Sequence, residues 1–368
     1  MVADASRVHR IAVLAGEGIG PEIIAQAIKV LEALRGHGLR FDLFHAPVGG
    51  PAIDACGEPL PPATLDLAKS CDAVLFGTVG NPAFDHLEAS KRPERAILGL
   101  RRELGLFAGL KHIAIPAALA HLSPLKAEVV AGTDLLVVRE LDGDVYTGQP
   151  KGERVSPNGA FAGQREGYDT MRYAEGEVER IAHVAFRAAL GRSRRVCSVD
   201  KANVLATSRL WREVVSRVSV QYPAVTLTHM YADNAAMQLI SRPTAFDVIL
   251  TSNLFGDILS DAASVLTGSI GLPASALLGQ GAGGMFEAGH GTAWDIAGQD
   301  LACPLACIRA AGLMLRHALD RPDLADRVER AVVTVLEQGG RTQDMRGALP
   351  ALGTQVMGDA VVKVLHVR

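Results

Sequence analysis

The chain has no large excess of either charge: 37 Lys and Arg against 40 Asp and Glu leave a formal net charge of −3 across 368 residues. It therefore lacks the basic field that nucleic acid or an anionic membrane surface would demand. No apolar run approaches membrane-spanning length, and the opening MVADASRVHR lacks the apolar core of a secretory signal. Cysteine is scarce. Cys56, Cys71, Cys197, Cys303 and Cys307 are odd in number and scattered among apolar neighbours, which suits reduced thiols packed in a core better than a disulfide framework. Cys303 and Cys307 stand at helical spacing, but no His or further Cys lies close enough in sequence to make a zinc motif. Internal repeats and long linkers are also absent. These absences predict a cytoplasmic protein whose partner is a small molecule, with no nucleic acid and no membrane.

What is present is ordinary globular material, 48% hydrophobic and 21% charged, long enough for two domains. Strand-like runs at Ile11–Ala15, Phe41–Phe44, Ala73–Phe76, Leu135–Val138, Val196–Val199, Val225–Leu227 and Phe246–Leu250 alternate with helical patterns, which predicts α/β architecture. The clearest helix is Glu177–Leu190, with Val178, Ile181, Ala182, Ala185, Phe186 and Ala189 on one face and His183 on the other, solvent-facing side. Pro150–Gly167 is polar, glycine-rich and unpatterned, and reads as a loop or an arm that pairs with something else.

Several stretches could carry chemistry, and each also has an ordinary reading. Gly16–Glu22 joins a strand to a helix through glycines spaced G-x-G-x-G, which is not the dinucleotide fingerprint; it is either a tight turn or a ligand contact. Asp257 and Asp261 stand four apart at the start of an apparent helix, so both project from one face, as a solvated edge or as part of a hard-cation site. Asp233 offers a third carboxylate. Glu94, Ile97, Leu98 and Arg101 form one helical stripe, either an amphipathic edge or a pocket wall that grips a carboxylate and touches an alkyl group. Arg139 ends a strand with Tyr146 close behind, and Lys201 ends another; a lysine there is a solvated cation or, among cations in a cleft, a base. Glu287–Asp295 puts His290 and Asp295 in a glycine-containing loop, a surface turn or an adenosine site whose Asp295 would accept ribose hydroxyls and repel a 2′-phosphate.

Taken in order, GEGIGPE at Gly16–Glu22, the Arg92-Pro93-Glu94 helix, Val138–Tyr146, SVDKANVL at Ser198–Leu205, Tyr231–Asn234, NLFGDILSD at Asn253–Asp261 and HGTAWDIAG at His290–Gly298 resemble the β-decarboxylating dehydrogenases of the isocitrate and isopropylmalate family. The seven motifs run in register over nearly the whole chain. The resemblance implies a two-domain fold of that family's kind, not a standard Rossmann fold, with 1–106 and 268–368 binding the cofactor and 107–267 carrying dimerisation, metal and substrate functions and an intersubunit arm. It implies NAD-dependent oxidative decarboxylation of a 3-alkylmalate such as 3-isopropylmalate, yielding 4-methyl-2-oxopentanoate on the route to leucine. Asp233, Asp257 and Asp261 would hold Mg²⁺ or Mn²⁺, Arg101, Lys111 and Arg139 would grip the malate carboxylates, and Tyr146 and Lys201 would move protons. A homodimer with shared active sites is implied, Lys201 and Asp233 serving the neighbouring subunit. The cofactor would meet Gly18, Ile19, Glu287, His290, Gly291, Thr292, Ala293, Asp295 and Cys303.

The chain departs from the family pattern at a few positions. Lys111 replaces the usual Arg, so a bidentate fork becomes a single ammonium. Trp294 stands in place of Pro and Cys303 in place of an adenine-contacting Asn, while Asp142 and Asp144 add negative charge near Arg139 and Tyr146. The Gly279–Gly284 loop is unusually rich in glycine. Alternatives are a related dehydrogenase acting on D-malate, tartrate or homoisocitrate, a cofactor-free metal-dependent decarboxylase, and a non-catalytic regulatory subunit; the retained Tyr146, Lys201 and aspartates argue against the last.

Overall fold

The computed structural model describes residues 7–281, 283–345 and 350–366. Most of the opening MVADASRVHR, and Ala282 of the glycine-rich loop, lie outside the described residues. Among the described residues twelve strands run in chain order: β1 His9–Gly16, β2 Phe41–His45, β3 Ala73–Thr78, β4 Ala108–Ile115, β5 Thr133–Glu140, β6 Gly152–Val155, β7 Arg165–Tyr168, β8 Arg195–Asp200, β9 Thr226–Tyr231, β10 Val248–Thr251, β11 Ser275–Leu278 and β12 Met285–Glu287. The chain divides into two compact units, one holding the described residues up to Asp134 and from Ala263 onward, the other Leu135–Ala262.

In the first unit the strand order is β2-β1-β3-β12-β11-β4. β1 pairs in parallel with β2 and β3, and β12 with β3, while β11 runs antiparallel to both β4 and β12. Ile11, Ala12, Val13 and Leu14 are almost wholly buried, as expected of a parallel strand covered on both faces. The helix Gly20–Leu34 follows, with Pro21 in its first turn where a missing N–H costs nothing, and buries Ile23, Ile24, Ala27, Val30, Leu31 and Leu34. The second unit has the order β5-β10-β8-β9, all parallel, so its strands end on the same side. That arrangement carries Arg139, Lys201 and the helix Asn253–Val265 to strand ends, where open parallel sheets place their ligands.

The α/β class is as the sequence predicts, with local differences. The seventh and sixth expected strands shift: Phe246 and Asp247 precede β10, and β9 runs on to Tyr231. Pro150–Gly167 is not structureless, since most of an exposed antiparallel hairpin, β6 with β7, lies in it. The helix expected at Glu177 starts at Glu175 and buries the six predicted apolar residues. His183 is half-buried rather than solvent-facing, its Nδ1 lying 2.8 Å from the Tyr222 hydroxyl. Cys197, Cys303 and Cys307 are buried free thiols, but Cys56, the last residue of the helix Gly50–Cys56, is exposed, and Cys71, just past the helix Pro62–Ser70, is partly so. Among the described residues no helix is long and apolar enough to cross a membrane.

Candidate active site

In the second unit the helix Asn253–Val265 is held at its first turn by groups outside it. Asn253 N donates to the Tyr173 hydroxyl at 2.9 Å and Leu254 N to Asp144 Oδ2 at 3.1 Å, satisfying donors that a helix start leaves open. Asp144 is fully buried at φ 72°, with its other oxygen accepting Val145 N at 2.8 Å. Its charge thus serves a helix N-terminus, where a carboxylate is favoured. The Asn253 side chain donates to Gly143 O at 3.2 Å and accepts Arg139 Nε and Nη2 at 3.0 and 2.7 Å. Gly256 makes the approach possible: a Cβ there would lie 2.6 Å from Arg139 Cγ.

Asp257 accepts hydrogen bonds on both carboxylate oxygens, from Arg139 Nη1 on Oδ1 and from the Tyr146 hydroxyl on Oδ2. Burial, then the bond to Asp257 and its charge, raise the Tyr146 pKa, with Arg139 opposing. Asp261 is exposed one turn further along the same helix. Lys201 Nζ donates to Asp233 Oδ1 at 2.6 Å, and that bond lowers the exposed Asp233 carboxyl. The structure therefore joins Arg139, Tyr146 and Asp257, and separately Lys201 and Asp233. Among the described residues no three His, Cys, Asp or Glu side chains gather as a metal site, so this chain alone does not bring Asp233 to Asp257 and Asp261. The donors on the helix remain carboxylate oxygens at i and i+4, the right chemistry for a hard cation completed by further oxygen ligands.

In the first unit, Lys111 on β4 pairs in register with Ser275 on β11, and Ser275 with Glu287 on β12. Directly paired residues share a face, so the three side chains form one row. Lys111, Ser275 and Glu287 are all at least nine-tenths buried, and Arg101 Nη2 lies 3.7 Å from Glu287 Oε1. Arg101 comes from the helix Arg95–Glu103, with Glu94 as its exposed N-cap and Ile97 and Leu98 half-buried. The glycine turn meets the His290 loop directly: Ile19 N donates to Thr292 O at 2.9 Å. Gly18, at φ 61°, is required there because a Cβ would fall 2.2 Å from Thr292 O.

His290 Nδ1 lies 3.1 Å from Gly291 O, whereas Nε2 is buried without a hydrogen-bond partner among the described residues. Burial lowers its pKa, and the Gly291 contact and Asp344 act in the opposite sense. A buried ring nitrogen with no protein partner, on a glycine-bearing loop beside a glycine turn, fits a loop that receives a polar ligand such as a dinucleotide. Ala293, Trp294 and Asp295 continue it, the last two exposed. Cys303 is packed in the core, as its apolar neighbours predict: it is 6% exposed, its thiol donates to Gly271 O at 3.3 Å, and burial pushes it up to about 12. A Gly271 Cβ would sit 2.6 Å from Cys303 Cβ, so the pair is close-packed.

Sequence reasoning passed over Glu17, Asn253 as the partner of Arg139, Tyr173 and Ser275. Glu17 had a signal, a carboxylate lodged between two turn glycines. Ser275 had none, since a serine heading a four-residue strand resembles any loop residue.

A sequence model of the family described as isocitrate/isopropylmalate dehydrogenase matches residues 10–361. Curated proteins named 3-isopropylmalate dehydrogenase from Burkholderia thailandensis and Bordetella avium are each 57% identical over 97% of this chain, covering 100% and 99% of their own lengths. The crystal structure of isocitrate dehydrogenase from Methylococcus capsulatus superposes with a TM-score of 0.83 at 33% identity, covering 97% of this chain and 99% of that one.

Proposed function

Because the chain belongs to the isocitrate/isopropylmalate dehydrogenase family, we propose that it oxidatively decarboxylates 3-isopropylmalate to 4-methyl-2-oxopentanoate in leucine biosynthesis, using NAD⁺ and Mg²⁺ or Mn²⁺. The observation that carries the choice of substrate is the helix Arg95–Glu103, where half-buried Ile97 and Leu98 stand one turn from Arg101. That stripe offers an alkyl group an apolar contact and a carboxylate a guanidinium, where a third substrate carboxylate would want another cation or hydroxyl.

Asp257 and Asp261, with Asp233 of a second copy, would hold the metal; Gly18, Ile19 and the loop from Glu287 to Asp295 would hold the dinucleotide. When bound, the metal supplies Lewis acidity toward the 2-hydroxyl and its neighbouring carboxylate, and NAD⁺ accepts the hydride. Arg101, Lys111 and Arg139 bind and orient the two carboxylates. Lys111, a buried ammonium in the row with Ser275 and Glu287, acts as a point charge rather than a fork. Lys201 takes the hydroxyl proton and Tyr146 returns one to carbon 3.

We further propose a homodimer in which Lys201 and Asp233 serve the neighbouring subunit. Supporting this, the helix that carries Asp233 exposes Met237 and Ile240, at 60% and 58%, and the helix that carries Asp257 and Asp261 exposes Ile258 at 61%. Such exposed apolar residues beside functional carboxylates suit a buried interface. NADH formation should be followed over 3-isopropylmalate, D-malate, tartrate and homoisocitrate. The expected outcome is the highest kcat/KM for 3-isopropylmalate, and a higher value for any other substrate would reassign the activity.

A further inference from the structure

The peptide of Gly80 is held on both sides by residues distant in sequence. Its N–H donates to Glu17 Oε1 at 2.9 Å, and its carbonyl accepts the indole N–H of Trp294 at 2.7 Å. Glu17 is itself 4% exposed and also accepts Gly50 N at 3.1 Å, so the anchor beneath Gly80 is fixed. Around Gly80 lie Glu94, whose Oε1 is 3.1 Å from an ideal Cβ position, and the Thr292 methyl at 3.9 Å. Trp294 thus fastens the loop that bears His290 and Thr292 to the segment after β3.

Only part of the indole is used in that contact. The chain has two tryptophans; Trp211 is a core residue at 2% exposure, whereas Trp294 is 43% exposed. Its N–H bond fixes the ring and leaves aromatic surface open on the same loop as His290 Nε2, which has no partner among the described residues. A ring so fixed loses little entropy when a second planar group stacks on it. We propose that Trp294 is a cofactor-binding residue: its N–H positions the loop and its open face stacks on a planar ring of the dinucleotide. This rests on the dinucleotide reading above.

Two variants separate the roles, since Trp294→Phe keeps a ring without the N–H and Trp294→Ala removes both. NAD⁺ binding is measured by calorimetry, steady-state kinetics are run with NAD⁺ and 3-isopropylmalate varied in turn, and thermal melts check folding. Stacking on an aromatic side chain corresponds to roughly a tenfold effect per ring. Trp294→Ala should therefore raise the NAD⁺ Kd and KM about tenfold, with Trp294→Phe in between and kcat and the substrate KM within about twofold of wild type. The emission difference between wild type and Trp294→Phe isolates Trp294, and NAD⁺ should quench it saturably. Unchanged NAD⁺ affinity in Trp294→Ala, or a difference emission indifferent to saturating NAD⁺, overturns the assignment, as does a parallel rise in both KM values, which would mark general loosening. If the wild-type protein binds no NAD⁺ at all, the dinucleotide reading falls instead.

Discussion

Arg139 directs two guanidinium nitrogens at a single oxygen, Oδ1 of Asn253, at 3.0 and 2.7 Å. Asn253 thereby aims the third nitrogen at Asp257. Hydrogen bonds to a charged group are worth about 1.5–3 kcal/mol, so Asn253→Ala should lower kcat/KM for 3-isopropylmalate by roughly 10- to 100-fold. Steady-state kinetics should leave the NAD⁺ KM unchanged; a defect confined to NAD⁺ would refute the pairing's role.

Replacing Lys201 by Ala removes the proposed base and leaves the dinucleotide loop untouched. General bases contribute about 10²–10⁴ to rate, and kcat should fall by that factor while calorimetric NAD⁺ binding stays within about twofold. Near-normal turnover would remove Lys201 from the mechanism.

Carboxylates on one helix face predict metal dependence. EDTA should abolish NADH formation and added Mn²⁺ should restore it. Undiminished turnover in chelator would exclude a role for Asp257 and Asp261 as ligands.

Exposed Asp295 should disfavour a 2′-phosphate. At surface dielectric the repulsion predicts a kcat/KM with NADP⁺ lower by about tenfold or more than with NAD⁺. Asp295→Asn should narrow the gap, and equal use of both cofactors by the wild type would defeat the assignment.

Glu140 is fully buried, accepts Asp142 N at 2.9 Å, Gly143 N at 2.7 Å and Arg180 at 3.1 Å, and burial still pushes its pKa from 4.5 to about 7. The folded chain therefore binds this proton more tightly than the unfolded one. Its stabilising effect is complete below pH 4.5 and is lost as pH rises through about 7, an interval corresponding to roughly 3 kcal/mol. Glu140→Gln should flatten that decline in denaturant melts across the same range. A variant whose stability falls as steeply as the wild type would show that another group governs it.

Where the chain alternates buried strand and amphipathic helix, its letters sufficed. β1, β3 and β10 read as apolar runs because a parallel strand covered on both faces needs no polar alternation. β4 did not, since Lys111 and His112 interrupt it, and β11 and β12 are too short to show a period. The site followed the same division. Carboxylates at helical spacing and cations at strand ends are local patterns, so Asp257, Arg139 and Lys201 stood out. Contacts such as Asp144 with Leu254 or Trp294 with Gly80 depend on chain returns across more than a hundred residues, and no local spacing encodes them.

The row formed by Lys111, Ser275 and Glu287 makes the length of β11 matter more than its lettering. β11 is zipped antiparallel on both edges, and side chains alternate faces along a strand. Conservative exchanges at Ala276 or Leu277 leave the ladder in step. One residue inserted inside Ser275–Leu278 must either bulge or slip both ladders together, and a slip turns Ser275 away from its two charged neighbours. The four-residue strand thus works as a spacer whose count matters as much as any side chain in it.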